Sequence, residues 1–595
     1  MTMTVADALL ERLRKWGVYR VFGYPGDGIN GIIGAFNRAG NRPEFIQARH
    51  EEMAAFMACA HSKFTGEVGV CTATSGPGAI HLLNGLYDAR LDHQSVLAVV
   101  GQQATTALGS HYQQEVDLLS LYKDVAGEFC TMITVPDQLD VAVDRAMRIA
   151  ATERTVTCLI LPNDVQEKEA MAPPQEFKES SGSLGFAWPR VVPPDDALDR
   201  AAAILNEGER VAILVGQGAR GAADEVIELA DALGAGVAKA LLGKDVLDDE
   251  LPFVTGAIGL LGTKPSYELM AQCDTFLMIG SSFPYSQFLP PWGQARGVQI
   301  DIDPRMIGLR YPMDVNLIGD AKLTIRALLP RIEHKSDRQW RDSIEHGIED
   351  WWRLVEERAM TSADPINPQR VFWELSPKLP EDVIIAADSG SSTNWYARDL
   401  KLRAGMRSSL SGTLATMGPA LPYAIGAKFA HPTRPVLAIE GDGAMQMNGN
   451  SELLTINKYW HRWADPRLVV LVLHNNDLNQ VTWEQRAMSG DPKFEASQDI
   501  PDFDYARYAD LCGLQGIRVE EPDALGDAFD RAFAASSPVV LDILASADIP
   551  PIPPHIEWKQ GKALMQALLG GDPDATEIIR QSTKQSLLDL LPGRG

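Results

Sequence analysis

Short apolar runs that end in glycine or a polar residue recur along this chain, separated by stretches with helical spacing. Residues 44–47, 68–72, 96–101 and 158–161 are such runs in the first third. Residues 211–216, 275–280 and 298–302 follow in the middle, with a helical pattern at 222–233. The last third has 383–387, 438–441 and 471–474, and a helical pattern at 448–460. Buried-type strands alternating with helices predict α/β units on parallel sheets. A polar segment rich in Pro and Gly, 172–194, reads as a linker, and the Trp- and charge-rich stretch 346–366 leads into a further unit. The expected architecture is three doubly wound parallel-sheet domains, at 1–175, 190–345 and 360–545, followed by a tail at 546–595. The tail opens with Ile549-Pro550-Pro551-Ile552-Pro553-Pro554 and closes in an amphipathic helix at 575–591.

Composition narrows the class. At 595 residues the chain exceeds what one core can hold. A formal net charge of −25 argues against a nucleic-acid partner, because phosphate would be repelled. No apolar run reaches the roughly 20 residues a membrane helix needs. The N-terminus, MTMTVADALLERLRKWG, mixes charges at helical spacing and reads as a first amphipathic helix, not a signal peptide. Cys59, Cys71, Cys130, Cys158, Cys273 and Cys512 lack metal or redox spacing, so buried free thiols in a reducing cytoplasm are expected.

Two constellations carry chemistry. Asp442 closes one apolar run and Asn476 closes the next. In a parallel sheet those ends open on one crevice. A hard anionic oxygen beside a neutral one suits Mg²⁺, which usually also binds a phosphate. Gly441 and Gly443 allow a diphosphate to approach, and a helix at 448–460 would turn its N-terminus toward that anion. Taken alone, Gly-Asp-Gly is ordinary turn chemistry. The second constellation, Ala48-Arg49-His50-Glu51-Glu52-Met53, sits where the run 44–47 meets a helix. Two glutamates at a helix start are ordinarily partners of the helix dipole.

Together these motifs resemble the thiamine-diphosphate (ThDP) enzymes of the pyruvate oxidase and acetolactate synthase branch, nearest the flavin-dependent pyruvate oxidases, over about residues 4–570. The resemblance implies that Asp442, Asn476 and the Leu478 carbonyl bind Mg²⁺, and that Gly441, Gly443, Ala444, Met445 and Asn475 hold ThDP. The spacing between Asp442 and Asn476 is longer than usual for that family, and the polar stretch 461–466 is a loop able to absorb the insertion. Glu51 matches the family's Arg-His-Glu signature and would hydrogen-bond the aminopyrimidine, while Glu52 would be a solvated charge. Met417, within Ser411-Gly412-Thr413-Leu414-Ala415-Thr416-Met417-Gly418, would hold the cofactor bent. The Gly390 carbonyl would accept from its amino group, beside Ser391. Segments 24–28 and 74–78 match active-site loops, and Gly26, Gln113, Gln114 and Val481 would line the substrate.

The middle unit is similar to the FAD domain of the same oxidases, which points to Gly216, Gly218, Arg220, Gly256, Ser282, Phe283, Asp301, Asp303 and Asp320 as flavin contacts. An acidic residue at a strand end can bind a ribose hydroxyl. A middle domain that has lost its nucleotide is the alternative. The implied reaction is ThDP- and Mg²⁺-dependent decarboxylation of a 2-oxo acid, pyruvate by default, with FAD-mediated oxidation to acetate and electron transfer to a quinone. A carboligase of the acetolactate synthase type and a non-oxidative decarboxylase are the alternatives. In the family Glu51 comes from one subunit while Gly390, Met417 and Asp442 come from the other, so a homodimer or homotetramer is expected. The tail helix resembles the segment with which quinone-reducing members meet the inner face of the membrane; a helix packed on its own domain is the alternative. Gln113 stands where the family has an aromatic residue and Gln480 where it has glycine. Both departures leave a 2-oxo acid other than pyruvate open.

Overall fold

A computed structural model describes residues 2–171, 180–551, 553 and 558–589. Residues 172–179 of the expected linker, Ile552, Pro554 and the end of the expected tail helix lie outside the described residues. The first sheet holds β1 (Arg20–Gly23), β2 (Glu44–Gln47), β3 (Gly69–Ala73), β4 (Val96–Gln102), β5 (Cys130–Met132) and β6 (Val156–Pro162) in the order β2-β1-β3-β4-β6-β5. The second holds β7 (Val211–Val215), β8 (Gly236–Lys239), β9 (Val254–Ala257), β10 (Thr275–Ile279), β11 (Arg296–Asp301) and β12 (Val315–Ile318) in the order β12-β11-β10-β7-β8-β9. The third holds β13 (Ile384–Ala387), β14 (Arg407–Ser409), β15 (Val436–Gly441), β16 (Leu468–His474), β17 (Gln515–Val519) and β18 (Val539–Leu544) in the order β14-β13-β15-β16-β18-β17.

Every pairing in these sheets is parallel. The three α/β domains expected from the pattern are therefore present. Sheets one and three share one strand order, a kinship not legible in the residues. The middle sheet reverses direction between β7 and β10, the dinucleotide-type order with a crevice at the reversal.

The outer domains share a core. The helix Glu51–Thr65 is buried on nearly every face, and so is Ala420–Ala430, which packs against it. Helices apolar all round belong in an interior. Lys63 is buried between the domains, with Nζ 2.6 Å from Asp92 Oδ2 and 2.7 Å from the Leu410 carbonyl. Asp92 also accepts from the amides of Gly412 (2.9 Å) and Thr413 (2.7 Å), so the loop that carries Met417 is anchored on the first domain.

Two elements differ from expectation. The helix expected at 448–460 starts earlier: the chain turns helical at Asp442–Ala444, widens into a π turn over Met445–Gly449 and continues as Asn450–Tyr459. A one-residue widening leaves no hydrophobic signature, and such turns favour functional sites. Among the described residues the tail contains two helices, Trp558–Leu569 and Ala575–Asp589, where one was expected.

Candidate active site

β15 and β16 pair with Gly441 opposite Leu473, which sets Asp442 beside the turn that follows β16. Asp442 is buried; its Oδ2 accepts from the amides of Asn475 (2.8 Å) and Asn476 (2.6 Å), and its Oδ1 from Gly443 (2.9 Å). Burial pushes its pKa up to about 6 despite these donors. Asn476 is in the left-handed region (φ 55°), with Oδ1 2.8 Å from His474 Nε2, and His474 Nδ1 meets Asp542 at 2.8 Å. A buried carboxylate served by amides, next to an amide oxygen, is a fitting donor set for a hard cation. The Leu478 carbonyl already accepts from Val481 (2.9 Å) and Thr482 (3.1 Å), capping the helix Asn479–Glu484. Gly443 and Ala444 open a first helical turn, where N–H groups lack helical partners, while the Met445 amide donates to the Asp442 carbonyl. Asn448, in the π turn, has both amide atoms buried without a hydrogen-bond partner, as a polar ligand site requires.

A second buried carboxyl organises the facing loop. Asp388, at the end of β13, accepts from the amides of Ser389 (2.8 Å), Gly418 (2.8 Å) and Ala420 (3.1 Å), and burial pushes it up to about 6. One side chain thus fixes both Gly390 and the Met417 loop. Gly390 has φ 117° and open space where a Cβ would lie, a conformation only glycine adopts without strain. Ser391 opens the helix Ser391–Arg398 behind it.

In the first domain Glu51 is buried at its helix start, with Oε2 3.0 Å from His81 Nδ1. The His81 ring lies against His50, centroids 4.5 Å apart. His81 ends the short helix Pro77–His81 that leaves the 74–78 loop. Sequence reasoning missed it; its one signal is a histidine shortly after Gly76-Pro77-Gly78. Glu52 is not a solvated charge. Its Oε1 lies 2.5 Å from Asn84 Nδ2, which is also 3.0 Å from Thr416 Oγ1, beside Met417. The loops at 24–28 and 74–78 meet where Gly26 packs on Thr74 and the Gly28 amide donates to Thr74 Oγ1 at 2.9 Å. Gln114, at φ 60°, lies over Gly76, and Gln113, Gln114 and Val481 are all exposed.

The middle domain borders a cleft of about 1620 Å³. Gly216, Gly218, Arg220, Ser282, Phe283, Asp301, Asp303 and Asp320 all line it, as do Gly390 and Gln480 of the third domain. Glu51 does not. At the reversal point the backbone is close: a Cβ on Gly216 would lie 2.3 Å from the Gly280 carbonyl. Gly256 is set back, its carbonyl accepting from Ser266 Oγ at 3.1 Å. The Arg220 guanidinium is committed to Asp245 (3.0 Å) and to the carbonyls of Leu242 (2.8 Å) and Ser408 (3.0 Å), tying the middle domain to the third. Asp301 is buried and pushed up by burial; it accepts from the Asp303 amide at 3.0 Å. Asp303 holds Arg305, and Asp320 caps the helix Ala321–Leu328.

Comparison with known proteins gives matches in all three domains. Family profiles for the thiamine pyrophosphate enzymes cover residues 3–121 (N-terminal TPP binding domain), 198–328 (central domain) and 388–543 (C-terminal TPP binding domain). The protein YdaP of Bacillus subtilis, whose name describes it as thiamine pyrophosphate-containing, is 35% identical over 587 residues, 99% of each chain. A pyruvate oxidase of Lactiplantibacillus plantarum is 30% identical over 91% of this chain and 89% of its own. An acetolactate synthase of Arthrospira platensis is 32% identical over 92% and 95%. The chain belongs to the thiamine-diphosphate enzyme family. The two domains matched as cofactor-binding are the two that share a strand order, and Asp442 and Glu51 stand one on each.

The tail of this ThDP enzyme packs on the third domain. Arg486, buried in the π turn Gln485–Ser489, meets Asp572 through Nε (2.8 Å) and Nη2 (2.9 Å), and Asp574 at 2.7 Å. Ile578 is fully buried against Trp483 and Leu568. A lipid contact through this face would need the helix to lift. Among the described residues no helix is long and apolar enough to cross a membrane.

Proposed function

We propose that the protein is a ThDP- and Mg²⁺-dependent decarboxylase of a short 2-oxo acid, pyruvate by default, that passes electrons through FAD to a quinone and releases acetate. ThDP, when bound, supplies the electron sink that lets CO₂ leave. Asp442, Asn476 and the Leu478 carbonyl would hold Mg²⁺, and the amides at 443 and 444 would meet the diphosphate. Met417 and the Gly390 carbonyl would fix the ring system. Glu51, held by His81, would share a proton with the pyrimidine where water is largely excluded. The substrate would lie among Gly26, Gln113, Gln114 and Val481. A site built from Glu51 of one subunit and Asp442 of another makes the working unit at least a homodimer.

The observation that carries the oxidase reading is the continuous cleft from the reversal point of the middle sheet to Gly390 and Gln480, which offers a dinucleotide a seat ending at the ThDP site. The likeness to a pyruvate oxidase supports it. Carboligation is the second reading, favoured by the comparable likeness to acetolactate synthases. Anaerobic mixing of the holoenzyme with pyruvate should bleach the flavin absorbance, and an added dye should be reduced as acetate forms. Flavin that stays oxidised while CO₂ is released and acetolactate accumulates would replace the oxidase reading with the carboligase one.

A further inference from the structure

We propose that the strap of residues 183–193 closes the adenosine end of the central cleft, with Trp188 as a stacking platform for an adenine base. The inference rests on the flavin reading above. The strap is tied at both ends. At one, the Ser183 carbonyl accepts from Arg148 Nη2 at 2.5 Å on the helix Leu139–Glu153 of the first domain. At the other, the Val191 carbonyl accepts from the Asp320 amide at 2.9 Å, and Pro193 packs against Gly319 of the middle domain. Between these ties Trp188 and Pro189 line the cleft together with Asp301, Asp303 and residues 319–321.

Trp188 is 60% exposed and meets Phe186 at 4.9 Å, with ring planes 72° apart. An indole left open at the lip of a ligand cleft suits a flat, weakly polar partner. The neighbouring charges say which one. Asp301 closes β11 and is set for a ribose hydroxyl. Arg305, the cation beside it, is already held by Asp303, with Glu128 at 3.5 Å and Glu153 at 3.7 Å. This end offers the carboxylates of Asp301 and Asp303, which suit the neutral hydroxyls of a ribose, with Arg154 a further cation at the cleft wall. It fits the adenosine of FAD. The part of the cleft lined by the third domain, at Gly390 and Gln480, is then left for the redox-active ring.

The test titrates flavin-stripped protein with FAD, FMN and ADP. Trp188→Ala and Trp188→Leu should each weaken FAD and ADP binding about five- to thirtyfold, the usual effect of losing a base-stacking ring. Trp188→Phe should keep most of the affinity, and FMN binding should be equal in all four proteins. Equal ThDP and Mg²⁺ affinity controls for folding. Unchanged FAD affinity in the Ala and Leu variants overturns the inference, as does an equal loss for FMN. Wild-type protein that binds neither FAD nor FMN would mark failure of the flavin reading itself, a different result seen before any variant is made.

Discussion

Replacing Asp442 by asparagine should make the cofactor-free protein more stable and the enzyme inactive. The carboxylate is 3% exposed and rests on three backbone amides. Its pKa rises from the ordinary 3.8 to about 6, with burial the largest cause. At about 1.4 kcal/mol per unit, holding the charge costs about 3 kcal/mol in the absence of a metal. Asparagine removes that cost but loses a charge-assisted bond to one amide, so the net gain at pH 7.5 should be about 1–2 kcal/mol. In a domain of this size that is a rise in melting temperature of about 2–8 °C. The sign follows from the raised folded pKa: the penalty is complete above pH 6, shrinks as pH falls through 6, and is gone below 4. Differential scanning of wild type and Asp442→Asn in chelator, at pH 7.5 and pH 4.5, should therefore show an advantage that fades in acid. With Mg²⁺ and ThDP added, only wild type should gain stability. An asparagine variant that is less stable at pH 7.5 without metal, or one that retains ThDP normally, would refute the assignment of Asp442 as the buried charge awaiting a cation.

Glu51→Gln should leave ThDP and Mg²⁺ affinity intact and lower turnover about 10²–10⁴-fold, read by steady-state rates and by exchange of the thiazolium proton. Glu52→Gln should cost no more than a few-fold, through its bond to Asn84; the reverse ranking would mean the register is off by one. Arg486→Met leaves Asp572 buried without its partner, so the tail should loosen by about 3–5 kcal/mol, read as faster proteolysis of the segment beyond residue 546, with KM rising more than kcat falls. Sedimentation at assay concentration should give at least a dimer, and a fully active monomer would remove the shared-site argument.

The parts of the site that were readable are those whose chemistry sits at the end of an apolar run. Asp442 and Asn476 stand where buried strands stop, so residue type and position agree. The three domains were readable for the same reason, because runs and helical spacing alternate throughout. His81 was not, since it lies 30 residues from Glu51 and only the fold brings the loop after β3 beside that helix. Arg486 and Asp572 are 86 residues apart, and a charged pair leaves no hydrophobic trace. Arg220 fitted a nucleotide contact by its place after a glycine turn, yet Asp245 and two carbonyls occupy it. Glu52 fitted a free first-turn charge until the fold supplied Asn84.

The docking of Asp572, Asp574 and Ile578 on the helix that bears Gln480 and Val481 also bears on biosynthesis. Domains generally fold in the order in which the ribosome releases them. The helix at 479–484 and its π turn emerge well before the segment that clamps them, so this wall of the cleft is completed only after residues 572–578 have left the ribosome. A chain cut between residues 545 and 571 would still carry all three sheets, with this wall of the cleft lacking its clamp. Maturation of the site is in this way tied to release of the segment that follows the third sheet.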